Sequence, residues 1–153
     1  MLKVKYFIIF LVINFGGLAL GNFLMNNGPQ SSWYAQLEKA PWTPPGWVFG
    51  AAWTIIMICF SIYLMYLFFA KNNQKRRLLY ALQVILNVSW NYIFFNQHQV
   101  FVAQIGITLL TALIFYFFFT FFNEQKSKSV LLIPYMFWLC IATSLNLYIL
   151  VNN

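Results

Sequence analysis

The chain has 153 residues, of which 62% are hydrophobic, 22% aromatic and only 7% charged, with a formal net charge of +7. Its mean hydropathy is +0.72, whereas a soluble domain of this length carries several times more charge, so a water-soluble globule is excluded. The surplus of lysine and arginine needs no nucleic-acid partner, because its placement has the form of a membrane topology signal and suits anionic membrane lipids.

About twenty consecutive apolar residues cross a bilayer as a helix. Five such stretches are present: Tyr6–Met25, Trp47–Ala70, Leu78–Phe95, Val100–Phe122 and Val130–Val151. None alternates polar and apolar residues as a membrane barrel strand must. The expectation is an all-α integral membrane bundle of five transmembrane helices in one domain, with a long first loop over residues 26–46.

Lys3 and Lys5 precede the first stretch, and Ala19-Leu20-Gly21 near its end loosely resembles the small-residue cleavage site of a secretory signal. Asn14, Gly16 and Gly17 interrupt the apolar run, and the charge pattern works best with all five helices kept, so retention is the expectation. Gly17 and Gly21 form a small-xxx-small pair that lets another helix approach closely. Packing inside the bundle outweighs a homodimer contact as its use, and both stay open.

Residues 33–54 hold four tryptophans, Trp33, Trp42, Trp47 and Trp53, around Pro41, Pro44 and Pro45. Indole rings favour sites with one apolar side and one hydrogen-bond partner, and the two adjacent prolines suit the start of a helix. This segment is expected to be a stiff aromatic lid over the mouth of a cavity.

On the third stretch Gln83, Asn87, Trp90 and Phe94 follow one another at i, i+4, i+7 and i+11 and share a face, with Asn91 beside them. The fifth repeats the pattern with Tyr135, Trp138, Ala142 and Leu145, adjoined by Asn146, and the fourth offers Gln104, Thr108 and Thr111. All three faces are expected to point inward. Such amides and hydroxyls commonly tie helices together, which suffices for Gln104, Thr108 and Thr111. The indole within the Gln83–Asn87–Trp90 stripe suits a cavity wall equally well.

Eight basic residues, Lys3, Lys5, Lys71, Lys75, Arg76, Arg77, Lys126 and Lys128, fall on one side of a five-span chain, and Lys39 alone on the other. This bias predicts a cytoplasmic N-terminus. Both acids, Glu38 and Glu124, and the single histidine, His98, lie in loops. Ion-coupled transporters place ionisable groups inside the membrane, so that class loses weight. No carboxylate pair, metal-ligand cluster or Ser–His–Asp set is present, and the metal expectation is none. Cys59 and Cys140 sit in separate spans and make no disulfide framework.

Three ordered motifs resemble the translocator-protein family, also called tryptophan-rich sensory proteins or peripheral benzodiazepine receptors. They are Trp42-Thr-Pro-Pro-Gly-Trp47-Val-Phe-Gly50 running to Trp53-Thr54, Gln83-Val-Ile-Leu-Asn87-Val-Ser-Trp90-Asn-Tyr-Ile-Phe-Phe95, and Pro134-Tyr-Met-Phe-Trp138-Leu-Cys-Ile-Ala142-Thr-Ser-Leu145-Asn146. The resemblance implies a five-helix bundle with a lidded pocket that binds tetrapyrroles such as protoporphyrin IX and haem, and isoquinoline-carboxamide and benzodiazepine drugs. It implies a pocket of Trp53, Asn87, Trp90, Trp138, Ala142 and Leu145, with Trp33 and Tyr34 in the lid; Gln83 joins them through its stripe. It also implies light-dependent porphyrin breakdown, for which Trp53 and Trp138 are the candidate catalytic residues, with no obligatory cofactor.

Two departures bear on ligand choice. Tyr148 is followed by Ile-Leu-Val-Asn-Asn, without the basic residue of the animal cholesterol motif, although Arg77-Leu-Leu-Tyr80-Ala-Leu82 fits its reversed form. The position of an animal pocket tryptophan falls near Phe101 and Val102. A bacterial plasma-membrane protein of porphyrin and stress homeostasis is the expectation, and a carrier of tetrapyrroles or lipids is the alternative.

Overall fold

In the computed structural model, which describes residues 1–153, the chain is helical with no strand. Helix α1 (Leu2–Leu24) passes through a 3-10 turn (Gly28–Gln30) and the short α2 (Ser32–Gln36) to α3 (Gly46–Ala70). Helix α4 (Gln74–Asn91) ends in a π turn (Tyr92–Asn96), α5 spans Val100–Gln125, and a 3-10 segment (Lys126–Leu132) leads into α6 (Ile133–Asn152).

The breaks have local causes. Asn26, Asn27 and Gly28 take positive φ values of 44°, 64° and 34°, left-handed conformations that asparagine and glycine tolerate, and they turn the chain off α1. Asn73 accepts a bond from the Arg76 N–H and caps α4. For that reason α4 begins at Gln74, a turn before the expected Leu78. The 3-10 segment likewise delays α6 to Ile133 rather than Val130. The residues expected to be loop, 26–46, include the Gly28–Gln30 turn and α2.

Four continuous helical segments are long and apolar enough to cross a membrane: Leu2–Gln30, Gly46–Ala70, Gln74–Asn96 and Val100–Asn152. The last has 53 residues and would measure about 80 Å if straight. It folds back at the 3-10 segment, so α5 and α6 lie against each other. The long helices close a ring in which α1 touches α3 and α4, α4 touches α5, α5 touches α6, and α6 returns to α3.

One end of the ring gathers the basic residues. The ammonium groups of Lys3 and Lys128 both sit over the Tyr66 ring, at 5.6 and 4.6 Å. Arg76, only 3% exposed, bonds to the carbonyls of Leu67 and Lys71 and to the Glu124 carboxylate, with its guanidinium over Phe121. It therefore ties the end of α3 to the end of α5. The adjoining half of the bundle is packed solid by Phe60, Tyr63, Leu64, Leu67, Ile114, Phe117 and Tyr135, all fully buried.

Two polar contacts set the α1 seam. Asn14 donates to Ser61 Oγ at 2.8 Å and accepts from the Tyr80 hydroxyl at 2.8 Å, linking α1, α3 and α4. A Cβ on Gly17 would meet Val88 at 3.5 Å, and one on Gly21 would meet Asn91 Nδ2 at 2.7 Å. The small-residue pair is thus spent inside the bundle, on α4. Thr108 departs from expectation by facing outward: its hydroxyl donates to the Gln104 carbonyl at 2.7 Å, so no inward partner is needed.

Candidate functional site

The half of the bundle away from the basic end holds a cavity of about 780 Å³, within the range of small-molecule sites. Four long helices and the lid line it, and α5 contributes no lining residue. From α4 come Asn87, Trp90 and Asn91, and from the π turn after it Phe94 and Phe95; from α3, Phe49, Gly50 and Trp53; from α6, Ala142, Leu145, Asn146 and Ile149. The spacing of each set is the helical one, so each helix turns a single face to the cavity.

The aromatic wall is stacked and edged. Trp90 lies parallel to Phe94 at 5.1 Å between centroids, and Phe95 meets both edge-on. On α3, Trp53 meets Tyr135 edge-on at 5.9 Å. The polar groups divide into used and free. The Trp90 indole N–H donates to Asn146 Oδ1 at 3.2 Å, and Asn146 Nδ2 donates to Gln104 Oε1 at 2.8 Å and to the Val100 carbonyl at 3.3 Å. Asn87 is only 9% exposed, and its side-chain amide makes no hydrogen bond to the protein. That amide is the wall's spare donor and acceptor.

The lid is held at two places. Trp33 stacks on His98 at 4.0 Å and meets Phe94 edge-on, while Tyr34 packs against Phe94 and Phe95. Farther along, Trp42 donates to Ser144 Oγ at 3.2 Å and lies edge-on to Tyr148. The Tyr148 hydroxyl donates to Glu38, and Asn153 exchanges two hydrogen bonds with the Glu38 backbone. Lys39 lines the cavity with its ammonium 4.7 Å from the Tyr34 ring centroid. It touches only the carbonyls of Ala35 and Leu37, both at 3.4 Å, and has no acidic partner. Burial pushes the Tyr34 phenol up from its ordinary pKa, so at neutral pH it is an O–H donor.

Comparison with known proteins agrees with this architecture. The TspO/MBR family profile matches residues 8–151. The chain belongs to the TspO/MBR family. It is 33% identical over 129 residues to the tryptophan-rich protein TspO of Chlorobaculum tepidum, covering 82% of each chain. It is 33% identical to the protein of that name from Bacillus cereus, over 75% of this chain and 76% of the relative. With the human translocator protein the identity is 30%, over 78% and 74% of the two chains. Family membership and the apolar helices make this a multi-pass membrane protein.

Of the residues singled out in the sequence, Tyr34, Trp53, Asn87, Trp90, Ala142 and Leu145 line the cavity, and Gln83, Trp33 and Trp138 do not. Gln83 and Tyr135 lie below it, where Gln83 Nε2 donates to the Tyr135 hydroxyl at 2.8 Å. Trp138 is screened by Phe49, which meets it edge-on at 5.2 Å. Trp33 is the lid's anchor on the π turn. The motif tryptophans are not all inward: Trp42 and Trp47 are 55% and 75% exposed, at the level where indoles favour the membrane interface.

The TspO-type departures also find their places. Tyr80 of the reversed sterol pattern is buried with its hydroxyl on Asn14, so it offers nothing to a sterol on the surface. Phe101 and Val102 are exposed on α5, away from the cavity. Asn22, Gln30 and Lys39 are lining residues that periodicity did not reveal. Lys39 alone carried a signal, as the single basic residue of its side of the chain.

Proposed function

We propose that this chain is a tetrapyrrole-binding membrane protein of the TspO type, acting in porphyrin and stress homeostasis. Five helices, α1, α3, α4, α5 and α6, cross the bacterial plasma membrane, with the basic end and the N-terminus in the cytoplasm and the lid outside. The observation that carries the reading is the wall of Trp53, Phe49, Trp90 and Phe94 around the free, buried amide of Asn87. Flat macrocycles stack on such rings, and Asn87 is placed to bond a polar edge.

A porphyrin's propionates need a cation, and Lys39 is the one lining residue with a positive charge and no acid beside it. Tyr34 adds a neutral donor next to it. Protoporphyrin IX is held by its faces and edge, and haem is held by the same wall. Isoquinoline-carboxamide and benzodiazepine drugs share the flat aromatic chemistry and compete for the same wall.

Light-driven porphyrin breakdown is the accompanying activity. The bound ligand absorbs the light and dioxygen is the oxidant. Trp53, on the wall, is the oxidisable ring assigned to this chemistry, and Trp138 acts only through Phe49. The test is a titration of the purified protein in lipid nanodiscs with protoporphyrin IX, followed by quenching of tryptophan fluorescence in the dark. Absorption of the bound ligand is then followed under light, with and without oxygen. Saturable quenching is expected, weakened tenfold or more in Lys39→Met with Asn87→Leu. No saturable quenching by the unmodified protein refutes the reading.

A further inference from the structure

Six of the residues lining the cavity are also exposed: Asn22 at the end of α1, Asn27, Pro29 and Gln30 in the turn after it, and Gly46 and Gly50 in the first turns of α3. Asn22, Gly46 and Gly50 place exposed lining on α1 and α3, and Asn27, Pro29 and Gln30 place it on the turn that joins α1 to the lid. The opening therefore includes the space between α1 and α3. Lower down the same two helices are clamped together, by Asn14 on Ser61 and by Phe10 on Phe68 at 4.8 Å. Above that clamp, a Cβ built on Gly46 or Gly50 meets no atom within 4 Å. With Thr54, exposed one turn on, these glycines give α3 a low sill.

Beyond the turn of Asn27, Pro29 and Gln30, the lid is held elsewhere. Its aromatic and side-chain hydrogen-bond contacts run to the π turn, through Trp33 and Tyr34, and to α6, through Glu38 and Trp42. None runs to α1, and none to the body of α3. The height of the gap decides what it opens on. Trp47, fully turned out from α3, marks the interfacial level, and Gly50 lies three residues deeper along the helix, about 4.5 Å. The sill thus lies where head groups give way to acyl chains. Behind it is the unpartnered amide of Asn87, which no protein group satisfies.

We propose that the cavity is loaded sideways, from the leaflet at the lid end, through the α1–α3 gap over Gly50, while the lid stays shut. The ligand class is a planar amphiphile that dissolves in the bilayer with its apolar rings among the chains and its anionic edge at the head groups. Such a molecule slides in rings first and leaves its carboxylates near Lys39. This rests on the tetrapyrrole reading above.

The test is the rate of exchange, read separately from affinity. Gly50→Leu places a side chain in the gap where nothing obstructs it, so the fold is not strained. Stopped-flow mixing of protein in nanodiscs with vesicles loaded with protoporphyrin IX gives the association rate, and dilution into empty vesicles gives dissociation. Gly50→Leu is expected to slow both rates tenfold or more, because a blocked doorway hinders both directions. Thr54→Leu, at the lower edge of the sill and outside the cavity lining, is expected to slow both by a smaller factor with Kd within about threefold of the parent.

Trp42→Ala removes the lid's bond to Ser144 and its packing on Tyr148, and it is expected to leave both rates within twofold. Unchanged rates in Gly50→Leu, or dissociation that becomes faster, overturn the lateral route. Faster exchange in Trp42→Ala returns the traffic to the lid. If the parent protein shows no binding in the dark titration, it is the tetrapyrrole reading that fails, and the two failures are distinct.

Discussion

Two asparagines of the same cavity make opposite predictions when replaced by leucine, which is close in size. Asn146 has a fully engaged amide, with bonds to Trp90, Val100 and Gln104. Side-chain hydrogen bonds between membrane helices average about 0.6 kcal/mol each, so Asn146→Leu removes roughly 2 kcal/mol. For a chain of this length that lowers the unfolding midpoint by about 4–8 °C. Asn87 makes no side-chain bond, so Asn87→Leu has none to lose and gains apolar contact with Trp90. Its midpoint is expected to stay within about 1 °C or to rise, since an unpaired polar group in a protein interior is a cost.

Ligand binding should order the pair the other way. If Asn87 bonds the ligand's polar edge, its loss costs roughly 0.5–1.5 kcal/mol, about two- to twelvefold in Kd. Both quantities come from one preparation in nanodiscs: helical circular dichroism against temperature for stability, and tryptophan quenching by protoporphyrin IX for affinity. A fall in stability for Asn87→Leu as large as for Asn146→Leu refutes the assignment of a free amide. An unchanged Kd removes Asn87 from ligand recognition.

Ala142→Leu projects a larger side chain into the cavity from α6; overfilling of a packed site costs roughly 1–3 kcal/mol, and binding is expected to weaken about tenfold while the midpoint holds, with unchanged affinity placing the ligand elsewhere. A cysteine at Asn153 should react with a membrane-impermeant thiol reagent from outside intact cells, in a background lacking Cys59 and Cys140, and one at Asn73 should not; the reverse pattern removes the orientation. Trp53→Phe should keep binding within a few-fold, because an aromatic wall remains, yet slow the light-driven loss of porphyrin absorption well below the parent. Bleaching at the parental rate in that variant assigns the chemistry to free porphyrin and oxygen.

The spans were legible because hydrocarbon thickness imposes a length on any sequence that crosses it, whereas their ends depend on local features such as the Asn73 cap of α4 and the 3-10 segment before α6. The α4 face was legible for the same kind of reason: Asn87, Trp90 and Phe94 share it by helical geometry. Where a face leaves the cavity and enters the packed core is not a property of spacing, which is why Gln83 and Trp138 were placed on the wall and lie below it. Thr108 was misplaced because threonine can satisfy its own hydroxyl on the preceding turn. Asn14 was read as an interruption in α1; only its partners, Ser61 and Tyr80, make it a tie across three helices. Lid residues such as Gln30 and Lys39 follow no period, so folding alone brings them to the cavity.

The distribution of packing bears on whether a ligand can pass through the bundle. A carrier must open its site to each side in turn, and here the half beyond the cavity is filled by Phe60, Tyr63, Leu67, Phe117 and Tyr135 without exposed surface. Beneath them Arg76 holds the last carbonyls of α3 and the Glu124 carboxylate together. Opening that end would separate a buried arginine from its partners, a costly step in a low-dielectric setting. No ionisable group of the cavity is placed to couple such a step to an ion gradient, since Lys39 belongs to the lid. On the proposed route between α1 and α3, a ligand would leave by the way it came, and the filled lower half argues for binding over passage through the bundle.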